Sequence, residues 1–256
     1  MKEGIGRAFM EGTQYRNLGP SDQEQGLPQP PLQSVLGGGE LTTLPDPQGL
    51  LYGREALYDV IGCRASLRDY TADALSLDEL TYLLWCTQGV KRVIPGKATF
   101  RTVPSAGARH PFETIILANR IDGLPVGLYQ YLAVEHQLAA IDADATTAEQ
   151  LVGACYGQAM VKKAAATFIW VADRYRMTWR YGERGIRYLH LDAGHICQNL
   201  YLAAESIGAG ACAIAAFYDE QVNEILGLDG VDRFAVYLAL VGKRAVGDKK
   251  PAGVQS

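Results

Sequence analysis

Apolar residues follow two different spacings along this chain, one typical of helices and one typical of strands. Residues 76–89 begin with Ser76 and place Glu79 three positions later, which is a capping-box pattern, and leucines then recur on one helix face up to Gly89. Residues 185–207 are apolar around most of the circumference of a helix. They predict a long helix that is buried nearly all round, either in a core or along a dimer seam.

Shorter apolar runs have the composition of strands. Residues 114–118, 167–171 and 234–241 are rich in apolar residues, and 127–131 with 137–141 have the spacing of a strand pair with a polar connection. Because helices and strands are intermixed and one strand pair is consecutive, we predict an α+β fold with a mostly antiparallel sheet flanked by helices.

The two ends of the chain have a different composition. Residues 1–50 are rich in Pro, Gly and Gln, which disfavour helices and central strands. We interpret them as a leader arm that is either disordered or draped over a neighbouring subunit. Residues 51–248 then form one main domain, and 249–256 form a flexible tail.

Composition and charge restrict the functional class. The chain has 256 residues, 48% of them hydrophobic and 20% charged, with a formal net charge of −4. We therefore expect no general attraction to nucleic acid or to an anionic membrane. The five cysteines are an odd number without a C-x-x-C pair, and no apolar run is long enough to span a bilayer. These features predict a cytoplasmic protein without a secretion signal or a membrane span.

One basic segment is suited to binding an anion. Arg64 and Arg68 are four positions apart, and Ser66 lies between them. A guanidinium group presents a planar fork of donors that matches phosphate, and a serine hydroxyl adds a further donor or acceptor. The same spacing also fits a solvated pair of surface arginines.

Two other segments consist mainly of small residues. Residues 104–111 read Pro-Ser-Ala-Gly-Ala-Arg-His-Pro, and residues 208–217 contain mostly Gly and Ala. Small side chains, and a glycine able to adopt positive φ, allow the backbone to approach a flat ligand closely. The alternative interpretations are a tight turn for the first segment and a buried strand for the second.

In this order and at these separations, the three segments resemble the nitroreductase-like flavoproteins, and most closely their SagB-type dehydrogenase branch. Arg64, Ser66, Arg68 and Tyr70 match the family segment R-x-S-x-(R/K)-x-(F/Y), and residues 104–111 match the branch pattern over eight positions. The resemblance covers roughly residues 54–244. It implies an FMN-binding (flavin mononucleotide) nitroreductase-like fold in which long helices form a homodimer interface.

The resemblance also implies roles for individual residues. Arg64 and Ser66 would hold the phosphate and ribityl end of FMN, and Arg68 would lie at the pyrimidine edge of the flavin ring, where a cation stabilises the charge gained on reduction. The small-residue loop contributes Ser105, Ala106 and Gly107 to the ring or ribityl chain and Arg109 to the ring or phosphate.

Two further cofactor contacts are expected near the C-terminal end. The family motif P-I-E-G-F places backbone N–H groups near the flavin nitrogen that exchanges hydride, and Ala215 and Ala216 stand there in this chain. Backbone donation by Ala216 survives the loss of the acidic residue and the glycine. Lys243 and Arg244 follow the last strand and are candidates for the FMN phosphate, with a solvated tail as the alternative.

The candidate catalytic residues are Tyr181 and Arg180. They lie in a segment similar to the SagB-type stretch K-Y-G-x-R-(G/A), in which adjacent Lys and Tyr are assigned proton abstraction during hydride transfer to FMN. Here Arg180 replaces the lysine. Because an arginine is effectively always protonated, it is a poor general base. Tyr181 is then the candidate for proton transfer, and an ion-paired helix face is the alternative.

A metal site is not expected. His190 and His195 are five positions apart on the predicted long helix, so their side chains diverge around its axis. The chain also contains neither the phosphate-binding loop of P-loop proteins nor a Rossmann fingerprint. Any cofactor is therefore expected to be held in another way.

The sequence predicts an FMN-dependent oxidoreductase that transfers hydride through bound FMN, as a homodimer, with a small-molecule or modified-peptide substrate. Oxidation of an azoline to an azole on a modified peptide is the best-defined activity of the branch. One alternative is an NAD(P)H-dependent nitro or quinone reductase. Another is a non-catalytic FMN-binding or scaffold protein in a peptide-modifying complex.

Overall fold

The computed structural model describes residues 4–141 and 146–245, and their strands form one large sheet and one hairpin. Seven strands pair in the order β1-β6-β5-β4-β7-β9-β8, and every pairing is antiparallel. The hairpin pairs β2 with β3. The strands are β1 (Leu41–Thr43), β2 (Val90–Ile94), β3 (Ala98–Arg101), β4 (Phe112–Ala118), β5 (Gly127–Leu132), β6 (Gln137–Ile141), β7 (Ala166–Asp173), β8 (Ala209–Ile214) and β9 (Arg233–Lys243).

Helices cover both faces of the large sheet. They are α1 (Ile5–Gly12), α2 (Leu57–Cys63), α3 (Leu77–Gln88), α4 (Thr147–Ala154), α5 (Met160–Lys163), α6 (Arg174–Tyr181), α7 (Gly185–Ser206) and α8 (Asp219–Ile225). The predicted α+β fold with a mostly antiparallel sheet, flanking helices and a long helix is confirmed.

The central strands are buried on both sides, which explains why their sequences are continuously apolar. On β4, Phe112 and Ile116 point into the core shared with α3 and α7, whereas Ile115 and Leu117 point into the core that contains residues of α4, α5 and α8. Successive side chains of a strand point to opposite faces, so helices on both faces require apolar residues at every position. The sheet is thus the middle layer between two hydrophobic cores.

Local sequence signals place several elements correctly. Ser76 caps α3 as predicted, because its side chain accepts a hydrogen bond from the N–H of Glu79 at 3.1 Å while the Glu79 carboxylate accepts from the N–H of Ser76 at 2.9 Å. Gly89 ends this helix. The predicted strand pair is also present as β5 and β6, where Tyr131 lies opposite Leu138.

The long helix α7 differs from its prediction in one respect. Leu189, Ala193 and other apolar residues are buried against the sheet. One stripe is nevertheless exposed, and its members recur at the i, i+3, i+4, i+7 spacing of a single helix face: Leu191, Gly194, His195 and Gln198. Leu191, the apolar member of this stripe with a large side chain, is 58% exposed. Burial nearly all round was therefore wrong for the single chain, and α7 presents one free face.

The N-terminal arm is more structured than its composition suggested. Helix α1 precedes the proline-rich part, so no proline interrupts it, and β1 pairs with β6 at the edge of the sheet. An edge position is where a proline- and glycine-rich segment can pair without disrupting a ladder. The predicted tail over 249–256 lies outside the described residues. Across residues 4–141 and 146–245, no helix has both the length and the apolarity to cross a membrane.

Candidate functional site

The basic segment after α2 lies along the edge strand β8. Ser66 forms a parallel bridge with Ala211, and the N–H of Leu67 donates to the Ala211 carbonyl at 2.9 Å. Gly210 permits this approach, because a Cβ at that position would lie 2.5 Å from the Leu67 side chain. Residues 209–214 form a buried strand, as the alternative interpretation of 208–217 proposed. Their small side chains let a second segment approach this strand closely.

Tyr201 of α7 connects this segment to β8. Its hydroxyl lies 3.0 Å from the Ser66 hydroxyl and accepts a hydrogen bond from the N–H of Ala213 at 2.8 Å. The Arg64 guanidinium lies over the Tyr201 ring, 5.1 Å from its centroid. These four residues are called the Arg64 cluster below. Tyr201 was not found from the sequence, although a polar hydroxyl on a largely apolar helix requires a partner and is itself a signal.

The cations of this region divide into paired and unpaired groups. Among the described residues, no carboxylate lies within 4 Å of Arg64 or Arg68. Arg68 is exposed but close enough to Cys212 to oppose the rise in the thiol pKa that burial causes. Two guanidinium groups without an acidic partner leave donors available to an anion.

Lys243 and Arg244 already have partners inside the chain. Lys243 forms an ion pair with Glu79, and Arg244 forms one with Glu205 and also donates from Nε to the Ala209 carbonyl at 2.9 Å. A phosphate at these two predicted positions would compete with the carboxylates. Their contact with the FMN phosphate stays a prediction.

Ala215 and Ala216 lie directly after β8 and are exposed. The Ala216 carbonyl accepts a hydrogen bond from the Gln158 side chain at 3.4 Å. Within the described chain the N–H groups of both alanines donate to no other residue. Both are therefore available as backbone donors to a ligand beside this edge of the sheet.

The segment 104–111, called the Ser105 loop below, is held in a strained conformation. Gly107, Ala108 and His110 all have left-handed backbones, with φ of 56°, 52° and 43°. Such conformations are costly for residues with a Cβ and persist only where surrounding contacts impose them. The Ser105 hydroxyl supplies one such contact, since it accepts a hydrogen bond from the N–H of His110 at 2.8 Å.

Asp192 of α7 fixes the other side of the loop. Its carboxylate accepts hydrogen bonds from the Ser105 hydroxyl at 2.5 Å and from the N–H of Ala106 at 3.3 Å. Burial raises the pKa of this carboxyl, and the two hydrogen bonds oppose the rise. Asp192 was not identified from the sequence as a partner of this loop, whereas the structure shows that it anchors the loop.

The two candidate catalytic residues lie next to the Ser105 loop. A Cβ on Gly107 would lie 2.4 Å from the Tyr181 hydroxyl and 3.1 Å from Cδ of Arg180. The Tyr181 ring packs edge-on against Tyr188 with centroids 4.9 Å apart, and the Arg180 side chain is exposed. The structure therefore places Gly107 next to Arg180 and Tyr181, and the roles of these residues at a flavin stay predictions.

Arg109 is directed into the protein. Its residue is only 3% exposed, its guanidinium lies 4.9 Å from the Trp179 ring centroid, and its Nε donates to the Arg176 carbonyl at 3.0 Å. Burial, and then the nearby cations of Arg176 and Arg180, lower its pKa to about 10, so it remains charged at neutral pH. A contact of Arg109 with a flavin stays a prediction, and the guanidinium would have to leave this stack to make it.

A cavity of about 760 Å³ opens beside the candidate catalytic pair. Arg180 and Tyr181 line it together with residues of the N-terminal arm, including Tyr15 and Glu24. A second cavity, of about 350 Å³, lies between α2, α3 and α7. Neither cavity is lined by Arg64 or Ser105.

The Arg64 cluster and the Ser105 loop are separated along α7. Tyr201 marks the first group and Asp192 the second, nine positions apart. At 1.5 Å and about 100° per residue, these side chains are separated by roughly 13.5 Å along the helix and point to opposite sides of it. The two groups therefore lie on opposite sides of α7, and neither of the two cavities described above is lined by Arg64 or Ser105.

Comparisons with known proteins place these features in a family. A model of the nitroreductase family matches residues 61–243. The chain is 35% identical over 188 residues to MJ1384 of Methanocaldococcus jannaschii, a protein assigned to the nitroreductases. This match covers 73% of this chain and 91% of MJ1384. It is 32% identical to the trifolitoxin-processing protein TfxB of Rhizobium leguminosarum, over 60% of this chain and 44% of TfxB.

A solved structure has the same fold. A nitroreductase from Desulfovibrio desulfuricans, solved in complex with FMN, superposes with a TM-score of 0.54 at 19% identity. The match covers 80% of this chain and 92% of that protein. At this identity the similarity supports the shared fold.

Proposed function

Because the chain belongs to the nitroreductase family, we propose that it is an FMN-dependent oxidoreductase that acts as a homodimer. Each FMN would lie between the Arg64 cluster of one protomer and the Ser105 loop of the other. The Desulfovibrio structure, which contains FMN, and the motif resemblance both support the choice of cofactor.

The observation that carries the dimer proposal is the separation of the two groups along α7. Groups on opposite sides of a helix can share one ligand only if a second copy of the chain supplies the other group. A two-fold dimer then forms two complete pockets at once. The exposed stripe that includes Leu191 and Gly194 gives two such helices a face on which to pack. Helices with small residues on a shared face can approach closely.

The residues present fit an FMN molecule. Arg64 and Arg68 have no carboxylate partner among the described residues, and a phosphate would satisfy their donors. The missing Cβ of Gly107 lets the loop backbone pack directly against the Tyr181 hydroxyl, which places Tyr181 beside the loop proposed to contact the ring. When bound, FMN would supply the acceptor and donor of hydride. Ala216 would offer its backbone N–H to the ring.

The chain's own contribution to chemistry would be a proton at Tyr181. Its hydroxyl lies beside Gly107 and the residue lines the cavity, so we propose that the hydroxyl donates to or accepts from a bound substrate. As an arginine, Arg180 is a poor general base, and its guanidinium lies 5.7 Å from the centroid of the Tyr181 ring, so it would place a positive charge beside the proposed proton-transfer residue.

Two substrate classes remain for this site. Similarity to TfxB, a trifolitoxin-processing protein, supports a role in processing a peptide product. For this version we propose azoline-to-azole dehydrogenation of a modified peptide. Similarity to MJ1384, a protein assigned to the nitroreductases, supports reduction of nitro compounds. For this version we propose NAD(P)H as the electron donor and quinones as further acceptors. The replacement of lysine by Arg180 favours a third hypothesis, in which the protein is a non-catalytic FMN-binding partner in a peptide-modifying complex.

The cofactor is tested by its absorbance. We expect the purified protein to be yellow, to bleach anaerobically with dithionite and to recover its colour in air. Arg64→Ala should lose most of the flavin because it removes a charge-assisted donor to phosphate, whereas Arg92→Ala, an exposed arginine over Phe100, should retain it. A colourless wild-type protein that takes up no added FMN would contradict the proposal.

The reaction class is tested by the electron source. Flavin reduction by NADH or NADPH supports the reductase, and its absence with both nucleotides excludes that version. Tyr181→Phe should retain FMN but slow turnover, because it removes the proton that the proposal assigns to the hydroxyl. An unchanged rate would remove Tyr181 from the mechanism.

A further inference from the structure

The N-terminal arm forms one wall of the cavity beside Tyr181. The family match begins at residue 61, so residues 13–27 lie outside the part of the chain that it covers. These residues nevertheless cross α6 and the start of α7, and Tyr15, Leu18 and Glu24 are among those that line the cavity.

One end of this wall is fixed by arginines of the α6–α7 region. Thr13 is buried, its carbonyl accepts from Nη1 of Arg184 at 3.0 Å, and its hydroxyl oxygen accepts from Nε of Arg187 at 2.6 Å. The Arg184 guanidinium also lies 4.3 Å from the Tyr15 ring centroid, and the Tyr15 hydroxyl lies 2.7 Å from that of Tyr188. These contacts hold the arm where the cavity begins.

The other end is fixed by Trp179. The N–H of Gln23 donates to the Trp179 carbonyl at 2.8 Å, and the Trp179 indole N–H donates to the Leu27 carbonyl at 3.0 Å. The segment between the two anchors is therefore held at both ends and spans the cavity. A wall fixed in this way can select substrates by size.

The charges that line the cavity are of opposite sign on its two sides. Arg180 belongs to α6, and no described carboxylate lies within 4 Å of its guanidinium. Glu24 belongs to the arm, and its Oε2 accepts from the N–H of Ser21 at 2.7 Å and from the Ser21 hydroxyl at 3.0 Å. These bonds keep Glu24 ionised, since they lower the pKa of its carboxyl. An anionic ligand would therefore orient toward Arg180 and away from Glu24.

We propose that this pocket receives a substrate bearing a carboxylate, that Arg180 binds the carboxylate, and that arm residues 15–24 limit the size of the substrate. The inference rests on the proposed function, because it names the substrate class of the same site. It also explains why an arginine stands where the branch has a lysine: a planar guanidinium can bind a carboxylate through two parallel hydrogen bonds.

The charge preference is tested with two ligands of equal size, benzoate and benzamide, by isothermal titration calorimetry. The wild type should bind benzoate about tenfold more tightly or better, as expected for a hydrogen bond to a charged group. Arg180→Gln should remove the difference. Glu24→Gln should leave benzoate binding unchanged or make it tighter. Equal affinities in the wild type, or parallel losses in both variants, would overturn the proposal.

The role of the arm is tested by filling the cavity. Gly19 lines the cavity and has open space around its Cβ position, so Gly19→Trp should fold normally and weaken benzoate binding by about tenfold or more. Gly6→Trp adds the same side chain to the arm at another open position outside the cavity and should bind like the wild type. Wild-type affinity in Gly19→Trp, with an unchanged melting temperature, would contradict the size limit.

The same samples separate this inference from the proposed function. Flavin absorbance reports whether FMN is bound, and the calorimetry is run on the purified protein with and without added FMN. Flavin without a benzoate preference refutes the inference and leaves the proposed function standing. If the protein never takes up FMN but prefers benzoate, and Arg180→Gln removes that preference, the inference stands and the proposed function is refuted.

Discussion

Replacing Gly107 by alanine tests whether the Ser105 loop and the candidate catalytic residue Tyr181 are in contact. The added Cβ would lie 2.4 Å from the Tyr181 hydroxyl, and real Cβ atoms essentially never approach another atom closer than 3.0 Å. The hydroxyl must therefore withdraw by at least 0.6 Å, the difference between these two distances. Because Tyr181 packs edge-on against Tyr188, its ring cannot move without disturbing that contact.

The expected cost has two parts. Alanine at a φ of 56° loses about 1 kcal/mol relative to glycine. Overpacking against the hydroxyl adds about 1–3 kcal/mol. In a Tyr181→Phe background the clashing oxygen is absent and the nearest remaining contacts are Cδ and Nε of Arg180 at 3.1 Å, both on a flexible side chain. The second part should then largely disappear.

The assay is a double-mutant cycle on the free energy of unfolding in urea. We expect Gly107→Ala to cost about 2–4 kcal/mol alone and about 1 kcal/mol when combined with Tyr181→Phe. The coupling should therefore exceed about 1 kcal/mol. Effects that add within about 0.5 kcal/mol would show that the two groups do not touch and would refute the placement of Tyr181 beside the loop.

Two further predictions concern the buried polar groups around the loop. Arg176, fully buried and 2.7 Å from the Glu113 carboxylate, should cost about 3–5 kcal/mol of unfolding free energy when replaced by Met, whereas Lys162→Met at the exposed pair with Glu149 should cost less than about 1 kcal/mol. Similar costs for both variants in urea unfolding would contradict this. Burial, and then nearby guanidinium groups, lower the pKa of His110 to about 3, so the unfolded chain binds its proton first and stability should fall as pH drops from about 6.5 towards 3. His110→Gln should reduce that slope, and an unchanged slope would remove His110 as its cause.

Local signals in the sequence were sufficient for the elements that depend on local physics. The capping box at Ser76 specified α3, and continuous apolar runs specified β4 and β7. The hairpin of β2 and β3 was not predicted, because the middle of β2 is exposed and the buried positions of β3 are the polar Thr99 and Arg101, so neither strand has an apolar pattern. Helix α1 was not predicted, because the composition was judged over the whole of residues 1–50 and the short helix occupies only their first part.

The site was harder to predict because its contacts join distant parts of the chain. The motifs identified Ser105 and Tyr181, but their proximity depends on packing between the loop and α6. Tyr201 and Asp192 were missed as partners, since an apolar pattern on α7 hides two polar side chains whose partners lie elsewhere. The position of the arm beside the cavity could not be predicted, because its hydrogen bonds use mainly backbone groups, which any sequence provides.

Mixing two defective variants tests directly whether each pocket is built from two chains. Arg64→Ala damages one half of the pocket and Gly107→Val the other, so each protein alone should lack FMN. After denaturation and refolding together in equal amounts, half of the dimers should be mixed, and each mixed dimer contains one pocket with both halves intact. Flavin should then return to about one quarter of the wild-type level. If the mixture stays as colourless as its components, or if every chain in the mixture binds FMN, the proposal of a shared pocket is wrong.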